Sequence, residues 1–136
     1  MHTTVLICSA SLVILTLLLA FWTSVQRGSS KTIAYSAPLD PASGMAKAQR
    51  AHGNAAEYAA LLVALFFIVG FAYAGHDLGA LVTCTIIAVT VSRLVHAIGF
   101  LTCKTLEAPH ILKAIGALVT YAGGLLLVVL AIIQVQ

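Results

Sequence analysis

The second apolar segment of the chain opens with Arg50-Ala-His-Gly-Asn54-Ala-Ala-Glu57-Tyr58 and continues directly into Ala-Ala-Leu-Leu-Val-Ala-Leu-Phe-Phe-Ile-Val. In a helix of 3.6 residues per turn, Arg50, Asn54 and Glu57 fall within about 60° of one another, with Tyr58 close by. One helix face therefore carries a cation, an amide and a carboxylate where a membrane span begins. Unpaired ionisable groups at the edge of hydrocarbon cost about 2.5–3.5 kcal/mol each on insertion scales, so these side chains must face protein, water or ligand.

This polar face has two interpretations. It is a binding site for a small zwitterion, in which Arg50 holds a carboxylate and Glu57 an ammonium group, or it is an internal Arg–Glu pair that holds a helix bundle together. Charged groups within a membrane often mark function, but ion pairing is also common there. The spacing alone does not separate the two.

The composition predicts an integral membrane protein. Of 136 residues, 61% are hydrophobic and 8% are charged, and the mean hydropathy is +1.07, whereas a soluble domain has about 25% charged residues. The net charge of +3 is not massed into a patch, so no nucleic-acid partner is expected. The three cysteines are widely spaced, which predicts neither a disulfide framework nor a metal site.

The apolar runs predict an all-α, four-helix bundle as a single domain over residues 1–136. The four spans are expected at about residues 3–25, 44–74, 78–102 and 110–134, because segments of these lengths can cross hydrocarbon about 30 Å thick. The first span is predicted to be a retained helix rather than a signal peptide, because Met1-His2 before it contains no Lys or Arg. The order of the spans predicts an up-down-up-down bundle.

Capping residues predict where three of the helices start. Asp40-Pro41 predicts an N-cap followed by the first residue of the second helix, since proline fits that position. Asp77, after the turn at Gly75, is expected to cap the third helix, and Pro109 is expected to open the fourth.

The third span carries a second polar stripe. Its apolar run from Leu78 to Ser92 is too short to cross a membrane alone, so Arg93 and His96 must lie within the span, and Phe100 shares their helix face. On the fourth helix, Gly116, Thr120 and Gly124 form a ridge of small residues, which is interpreted as a packing surface.

Charge asymmetry predicts the orientation. In an up-down-up-down chain the first and third loops with their flanks hold six basic residues, and the opposite side holds none, which places both termini outside and these loops in the cytoplasm. Both polar stripes then lie near the cytoplasmic face, which favours a binding site over a structural pair. The six residues are Arg27, Lys31, Lys47, Arg50, Lys104 and Lys113.

The polar motifs resemble those of the MAPEG family, the membrane-associated proteins in eicosanoid and glutathione metabolism. The run from Arg50 to Tyr58 is similar to that of its small bacterial members, and Arg93-Leu-Val-His96-x-x-x-Phe100 resembles the family's motif on the third helix. Ala108-Pro109, before the fourth helix, also fits. The resemblance covers the whole chain in length and span number.

The resemblance implies a homotrimer in the bacterial inner membrane that binds glutathione near the cytoplasmic face, between subunits. Its expected activity is that of a glutathione transferase or peroxidase on lipophilic small molecules dissolved among the membrane lipids. Arg27 is expected to reach the site from the adjacent subunit. The residues that the resemblance assigns to glutathione are Arg50, Asn54, Glu57, Tyr58, Arg93, His96 and Arg27.

Two departures from the family leave the catalytic residues unassigned. Phe100 stands where the family's synthases have a tyrosine, and Glu107 stands near the position of an arginine that stabilises the glutathione thiolate. A cation promotes ionisation of a thiol, and a carboxylate opposes it. The alternative function is therefore a non-catalytic membrane protein that binds lipids or other ligands, or a scaffold. A small transporter is a weaker third class, because no broken helix or internal repeat is evident.

Several residues outside these motifs keep open interpretations. His52 points away from the polar face and is expected at an interface or between subunits. Cys103 is either a reactive thiol or, as the burial of most cysteines favours, a small apolar residue. His76 and His110 are expected in loops or caps, and Tyr35 either covers the site or is exposed.

Overall fold

The computed structural model describes residues 2–31 and 39–136, and within those ranges the chain forms helices and no strand. Each of the four helices is long and apolar enough to cross a membrane, and the chain is an integral membrane protein. Tyr35 lies outside the described residues. The helices are α1 (Thr3–Ser30), α2 (Gly44–Ala72), α3 (Gly79–Thr102) and α4 (Ile111–Gln134).

Helix α2 begins later than Asp40-Pro41 predicted. Its N-cap is Ser43, whose hydroxyl accepts a hydrogen bond from the backbone N–H of Ala46 at 3.2 Å. The Asp40 carboxylate instead accepts from the N–H of Ala42 at 2.9 Å, which forms a turn before the helix. Aspartate and serine are both good N-caps, so the sequence alone did not identify the boundary.

The other two predicted starts are also displaced. Helix α3 begins at Gly79 with Leu78 at the N-cap, so Asp77 does not cap it. Gly75 and Gly79 have φ angles of 82° and 69°, which glycine adopts without strain, and the turn therefore extends to Gly79. Helix α4 begins at Ile111, after rather than at the expected proline.

The main hydrophobic core includes residues from all four helices, with Leu12, Phe66, Ile86 and Leu127 among its most deeply buried side chains. A smaller cluster lies toward the other end of α1, where Leu19 packs with three alanines: Ala51, Ala55 and Ala97. Small side chains let helices approach closely in a membrane. This alanine-lined region lies next to the polar residues of α2 and α3.

Large apolar side chains cover the outward faces of the helices. Leu17, Phe21, Phe71 and Leu125 are each more than half exposed, with values from 64% to 76%. A helix that is apolar both inside and outside the bundle is typical of a lipid environment. The outer surface therefore agrees with burial in a membrane.

Helices α3 and α4 approach each other closely at Gly116 of α4. A Cβ atom placed on Gly116 would lie 2.5 Å from the Cβ of His96 and 2.8 Å from the carbonyl oxygen of Ser92. Beside it, the hydroxyls of Ser92 and Thr120 are hydrogen bonded to each other at 2.8 Å. Gly124 has open space around it instead, so the predicted ridge contacts α3 only through Gly116 and Thr120.

We expect Gly116→Ala to destabilise the protein by about 1–3 kcal/mol, because the added methyl group would overpack the contact with α3. Gly124→Ala is the matched control on the same helix, since a methyl group there meets no neighbouring atom within 4 Å. The measurement is the thermal stability of both purified variants in detergent. Equal stability would show that the helices do not approach as described.

Candidate functional site

Arg93 lies at the centre of the polar residues inside the bundle. Its side chain is only 3% exposed, and its guanidinium donates a hydrogen bond to the Oδ1 atom of Asn54 on α2. The guanidinium carbon also lies 4.6 Å from the centre of the Tyr58 ring, a distance at which a cation and an aromatic face attract each other. The structure therefore brings together three of the predicted site residues.

Arg50 and Glu57 lie on the outward side of α2. Both are exposed, and neither forms an ion pair within the part of the chain that the structure describes. Asn54, between them along the helix, is turned inward and is buried. The predicted polar face is therefore divided, and an internal Arg50–Glu57 pair does not hold the bundle together.

His96 and Phe100 form the part of the site that comes from α3. The Nδ1–H of His96 donates to the backbone carbonyl of Lys113 on α4 at 2.7 Å, which leaves Nε2 as an acceptor in the neutral ring. The two rings pack edge to face, with centres 4.9 Å apart. The guanidinium of Arg50 lies 6.0 Å from the centre of the Phe100 ring, so the outward arginine of α2 reaches this end of the site.

Lys113 brings a further cation to the same ring. Its ammonium lies 5.6 Å from the centre of the Phe100 ring and donates to the carbonyls of Leu106 and Ala108 at 3.2 and 2.8 Å. Glu107, between these two residues, is exposed. An ammonium group has three donors, so the two carbonyls leave one for another acceptor.

Tyr121 is a site residue that the sequence analysis missed. Its hydroxyl lies 3.0 Å from the hydroxyl of Tyr58, within hydrogen-bonding distance, and the two ring centres are 6.0 Å apart. Tyr121 is on α4, 63 residues further along the chain, and no motif marks it. Only the alignment of α2 against α4 shows that it belongs with Tyr58.

An apolar cavity of about 520 Å³, open to the outer surface of the bundle, begins at the two tyrosines and runs between α2 and α4. Its lining is almost entirely apolar, with Leu61, Leu65 and Leu125 among its residues. Cavities of this size hold small organic ligands in many proteins. The site therefore has a polar end, at Arg50 and Phe100, and an apolar end beyond the tyrosines.

Arg27 is not brought to the other predicted residues within one chain. The Thr23 hydroxyl of α1 donates to the backbone carbonyl of Ala48 at 3.1 Å, which places α1 against the side of α2 that carries Ala48, Ala51 and Ala55. On a helical wheel that side is about 100° or more from Arg50. The outward face of α2 thus points away from the chain's own α1.

Cys103 is buried at the end of α3, with 2% of its surface exposed, and its thiol donates to the carbonyl of Phe100 at 3.1 Å. A buried cysteine of this kind usually acts as a small apolar residue. The structure therefore favours the second of the two interpretations of Cys103. His110, expected in a loop or a cap, occupies the N-cap position of α4.

The arrangement can bind an anion and a cation side by side, beside an apolar cavity. Arg50, Lys113 and Arg93 supply positive charge, and Glu57 is the acidic side chain nearest to them on α2. Guanidinium groups bind carboxylates through two parallel hydrogen bonds. The polar end is therefore suited to a ligand that is mainly anionic and carries one positive group.

Comparison with known proteins identifies the family of the chain. The MAPEG family model matches residues 5–133, which is nearly the whole chain. This range contains nearly all of α1 to α4 and all the site residues described above. No curated protein sequence matches the chain significantly. On the strength of the family match, the chain belongs to the MAPEG family.

Proposed function

We propose that this protein binds glutathione at the outward face of α2, near the cytoplasmic side of the membrane, and transfers it to lipophilic electrophiles or uses it to reduce them. The observation that carries the proposal is the exposure of Arg50 and Glu57 beside the buried Arg93–Asn54 pair. Two unpaired charges on the outside of a membrane bundle require partners.

The depth of Glu57 strengthens this argument. Fifteen residues separate it from the end of α2 at Ala72, which corresponds to about 22 Å at 1.5 Å per residue. If the end of α2 marks one boundary of a hydrocarbon core about 30 Å thick, Glu57 lies several ångströms inside the other boundary. A carboxylate at that depth cannot remain against lipid, so a ligand and a protein surface must cover it.

Glutathione has the chemistry that this face lacks. It is a peptide with two carboxylates and one ammonium group, so Arg50 can hold a carboxylate through its planar fork and Glu57 the ammonium group. The two side chains are seven residues apart, or about 10.5 Å along the axis, which suits a ligand lying along the helix better than a direct salt bridge. Asn54 keeps Arg93 in place behind them.

A homotrimer would complete the site. The outward face of α2 points away from its own α1, so Arg27 of an adjacent subunit is the one that could reach glutathione. Identical subunits that contact one another head to tail form a closed ring when the rotation closes, and three equivalent interfaces would cover three copies of the exposed face. We propose up-down-up-down helices with both termini outside, in a bacterial inner membrane, because the basic residues lie on one side.

The test of the activity is an assay of thiol conjugation in detergent, with an aryl halide and with a lipid hydroperoxide. We expect glutathione-dependent turnover of at least one of them above the rate without protein. Calorimetry with glutathione alone measures binding independently. Absence of turnover with both electrophiles, in a protein that is folded and trimeric by native mass spectrometry, would count against an enzyme.

A second function, a non-catalytic membrane binding protein, is favoured by Glu107 and Phe100. The carboxylate lies in the loop that contacts Lys113, and two of the three donors of that ammonium are already used. Ultraviolet absorbance of the bound thiolate distinguishes the two functions. If the thiol of bound glutathione has a pKa of about 8.5, like a free thiol, the protein is a non-catalytic binding protein. A clearly lower pKa indicates an enzyme.

A further inference from the structure

The imidazole of His96 is held in one tautomer. Its Nδ1 lies 2.7 Å from the backbone carbonyl oxygen of Lys113, and a carbonyl oxygen can only accept, so the hydrogen of the neutral ring is on Nδ1. This hydrogen bond joins α3 to the first turn of α4. Nε2 is therefore left with a free electron pair, which can accept a proton.

The ring of His96 is firmly packed, but Nε2 can still be contacted. The Cβ of His96 touches the backbone of α4 at Gly116, and the ring packs edge to face on Phe100. Within the described residues Nε2 has no hydrogen-bonding partner, and it is not fully enclosed. The ring lies six residues before the end of α3 at Thr102, or about 9 Å along the axis, so a ligand at this end of the bundle can contact it.

Cations from three helices lie around this imidazole. Arg93 precedes it by one turn on α3. Lys113 on α4 and Arg50 on α2 lie 5.6 and 6.0 Å from the centre of the Phe100 ring, which packs against the imidazole. A proton on Nε2 adds one more positive charge to this group, so it is balanced best by a negative charge that forms beside it. Two further charged side chains of α1 and α2 are exposed, namely Arg27 and Glu57.

We propose that Nε2 of His96 accepts the proton of the glutathione thiol when glutathione binds, and that Lys113 positions the ring for this step through its backbone carbonyl. The inference rests on the proposed glutathione site, and it assigns a catalytic base to that site. The thiolate supplies the negative charge that the added proton requires. A thiol and a histidine form the same kind of ion pair in enzymes with a cysteine nucleophile.

The step moves one proton and no electrons between molecules. The S–H bond breaks, its electron pair stays on sulfur, and the proton forms a bond to Nε2. With an aryl halide, the sulfur then uses this pair to form a bond to the ring carbon, and the carbon–halogen bond breaks so that halide leaves with its electrons. Nε2 returns the proton to water, and the imidazole is neutral again.

The first test locates the proton. Calorimetry of glutathione binding at neutral pH, in two buffers with different ionisation enthalpies, counts the protons released to solvent, and ultraviolet absorbance measures the thiolate formed. For the wild-type protein we expect thiolate without release of a proton, because Nε2 retains it. One proton released for each thiolate, or bound glutathione without thiolate, would overturn the inference.

The second test is His96→Asn. The amide N–H of asparagine can still donate to the carbonyl of Lys113, whereas nothing replaces Nε2. With an aryl halide we expect kcat near pH 7 to fall about a hundredfold. At about pH 10 a thiol whose pKa is about 8.5 ionises without a base, so kcat should there approach the wild-type value. The affinity for S-methylglutathione, which has no thiol proton, is expected not to change.

The matched control is His76→Asn, since His76 is exposed in the turn between α2 and α3. It is expected to behave as wild type at both pH values. An equal loss of kcat at both pH values in His96→Asn would show that the substitution only disturbs the site, and a loss of affinity at constant kcat would show that His96 holds the ligand and not its proton. Either result overturns the inference.

A second variant keeps the inference testable if thermal unfolding shows that His96→Asn is unstable. His96→Gln places an amide near the position of Nε2, where it cannot take up a proton, and the same recovery of kcat at high pH is expected. Wild-type protein that conjugates the aryl halide while both variants keep its kcat at every pH would overturn this inference alone. Wild-type protein that neither binds glutathione nor conjugates the halide would overturn the proposed function as well.

Discussion

Glu57→Gln is expected to weaken glutathione binding by about 2–5 kcal/mol, because it removes one charge of a desolvated pair that the ligand's ammonium group would complete. The stability of the ligand-free protein should stay within about 0.5 kcal/mol of wild type, since Glu57 is exposed and has no ion-pair partner among the described residues. The measurement is paired: thermal unfolding of the variant without ligand, and glutathione affinity by calorimetry.

Arg93→Ala is the contrasting variant. Arg93 is 3% exposed and bonded to Asn54, so its removal leaves a cavity and a buried amide without a donor, at a cost of about 3 kcal/mol or more. Comparing Glu57→Gln with Arg93→Ala thus distinguishes a residue that only binds the ligand from one that also supports the fold. A Glu57→Gln variant that unfolds, or one that binds glutathione as tightly as wild type, would show that the site is wrongly assigned.

The sequence predicted the helices well because length and hydropathy are strong signals in a membrane protein. Four runs of apolar residues leave little choice of fold, and each coincides with a helix of the structure, although α1 continues past the predicted residue 25 to Ser30. The starts of the helices were less certain, because Asp40 and Ser43 can both cap α2 and the choice depends on the turn between them. Hydropathy does not show which of two neighbouring capping residues starts a helix.

The polar face of α2 was predicted in part. The helical period placed Arg50, Asn54 and Glu57 on one face, whereas the structure turns Asn54 inward and leaves the other two outside, a division that depends on α3. Asn54 is buried because Arg93 approaches it there, and the other two stay outside the bundle. A helical wheel shows which residues share a face, and it does not show where a neighbouring helix touches that face.

Drift along the helix explains the partial error on α4. Residues four apart are displaced by about 40°, so Gly116 and Gly124, eight apart, differ by about 80°. Gly116 consequently packs on α3, and Gly124 lines the cavity between α2 and α4. Tyr121 was missed for a related reason, since its contact with Tyr58 depends on the alignment of two helices that no sequence motif records.

The family resemblance predicted an interaction that one chain alone does not contain. It is Gln26, not Arg27, that contacts the first turn of α2, where an added Cβ on Gly44 would be 2.8 Å from the Gln26 Oε1 atom, and Arg27 is exposed. The outward face with Arg50 and Glu57 lies on another side of α2. If Arg27 contributes to the site, it therefore does so across a subunit interface.

Mixed trimers offer the sharpest test of that arrangement. Arg27→Ala and Glu57→Gln are each expected to abolish glutathione binding when expressed alone. Co-expressed in equal amounts and assembled at random, they should restore about a quarter of the sites, because a site is intact when its Arg27 comes from one variant and its Glu57 from the other. Every mixed trimer then has one intact site out of three, so trimers purified through different tags on the two variants should each bind one glutathione, as measured by calorimetry.

The matched control is co-expression of Arg50→Ala with Glu57→Gln. Both residues lie on α2 of one subunit, so every site in any mixture lacks one of them and no binding should return. Restoration with the first pair and not the second would place Arg27 opposite α2 of its neighbour. If neither pair restores binding although mixed trimers form, Arg27 acts within its own subunit or not at all, and the exposed charges of α2 must be covered by another part of the adjacent chain.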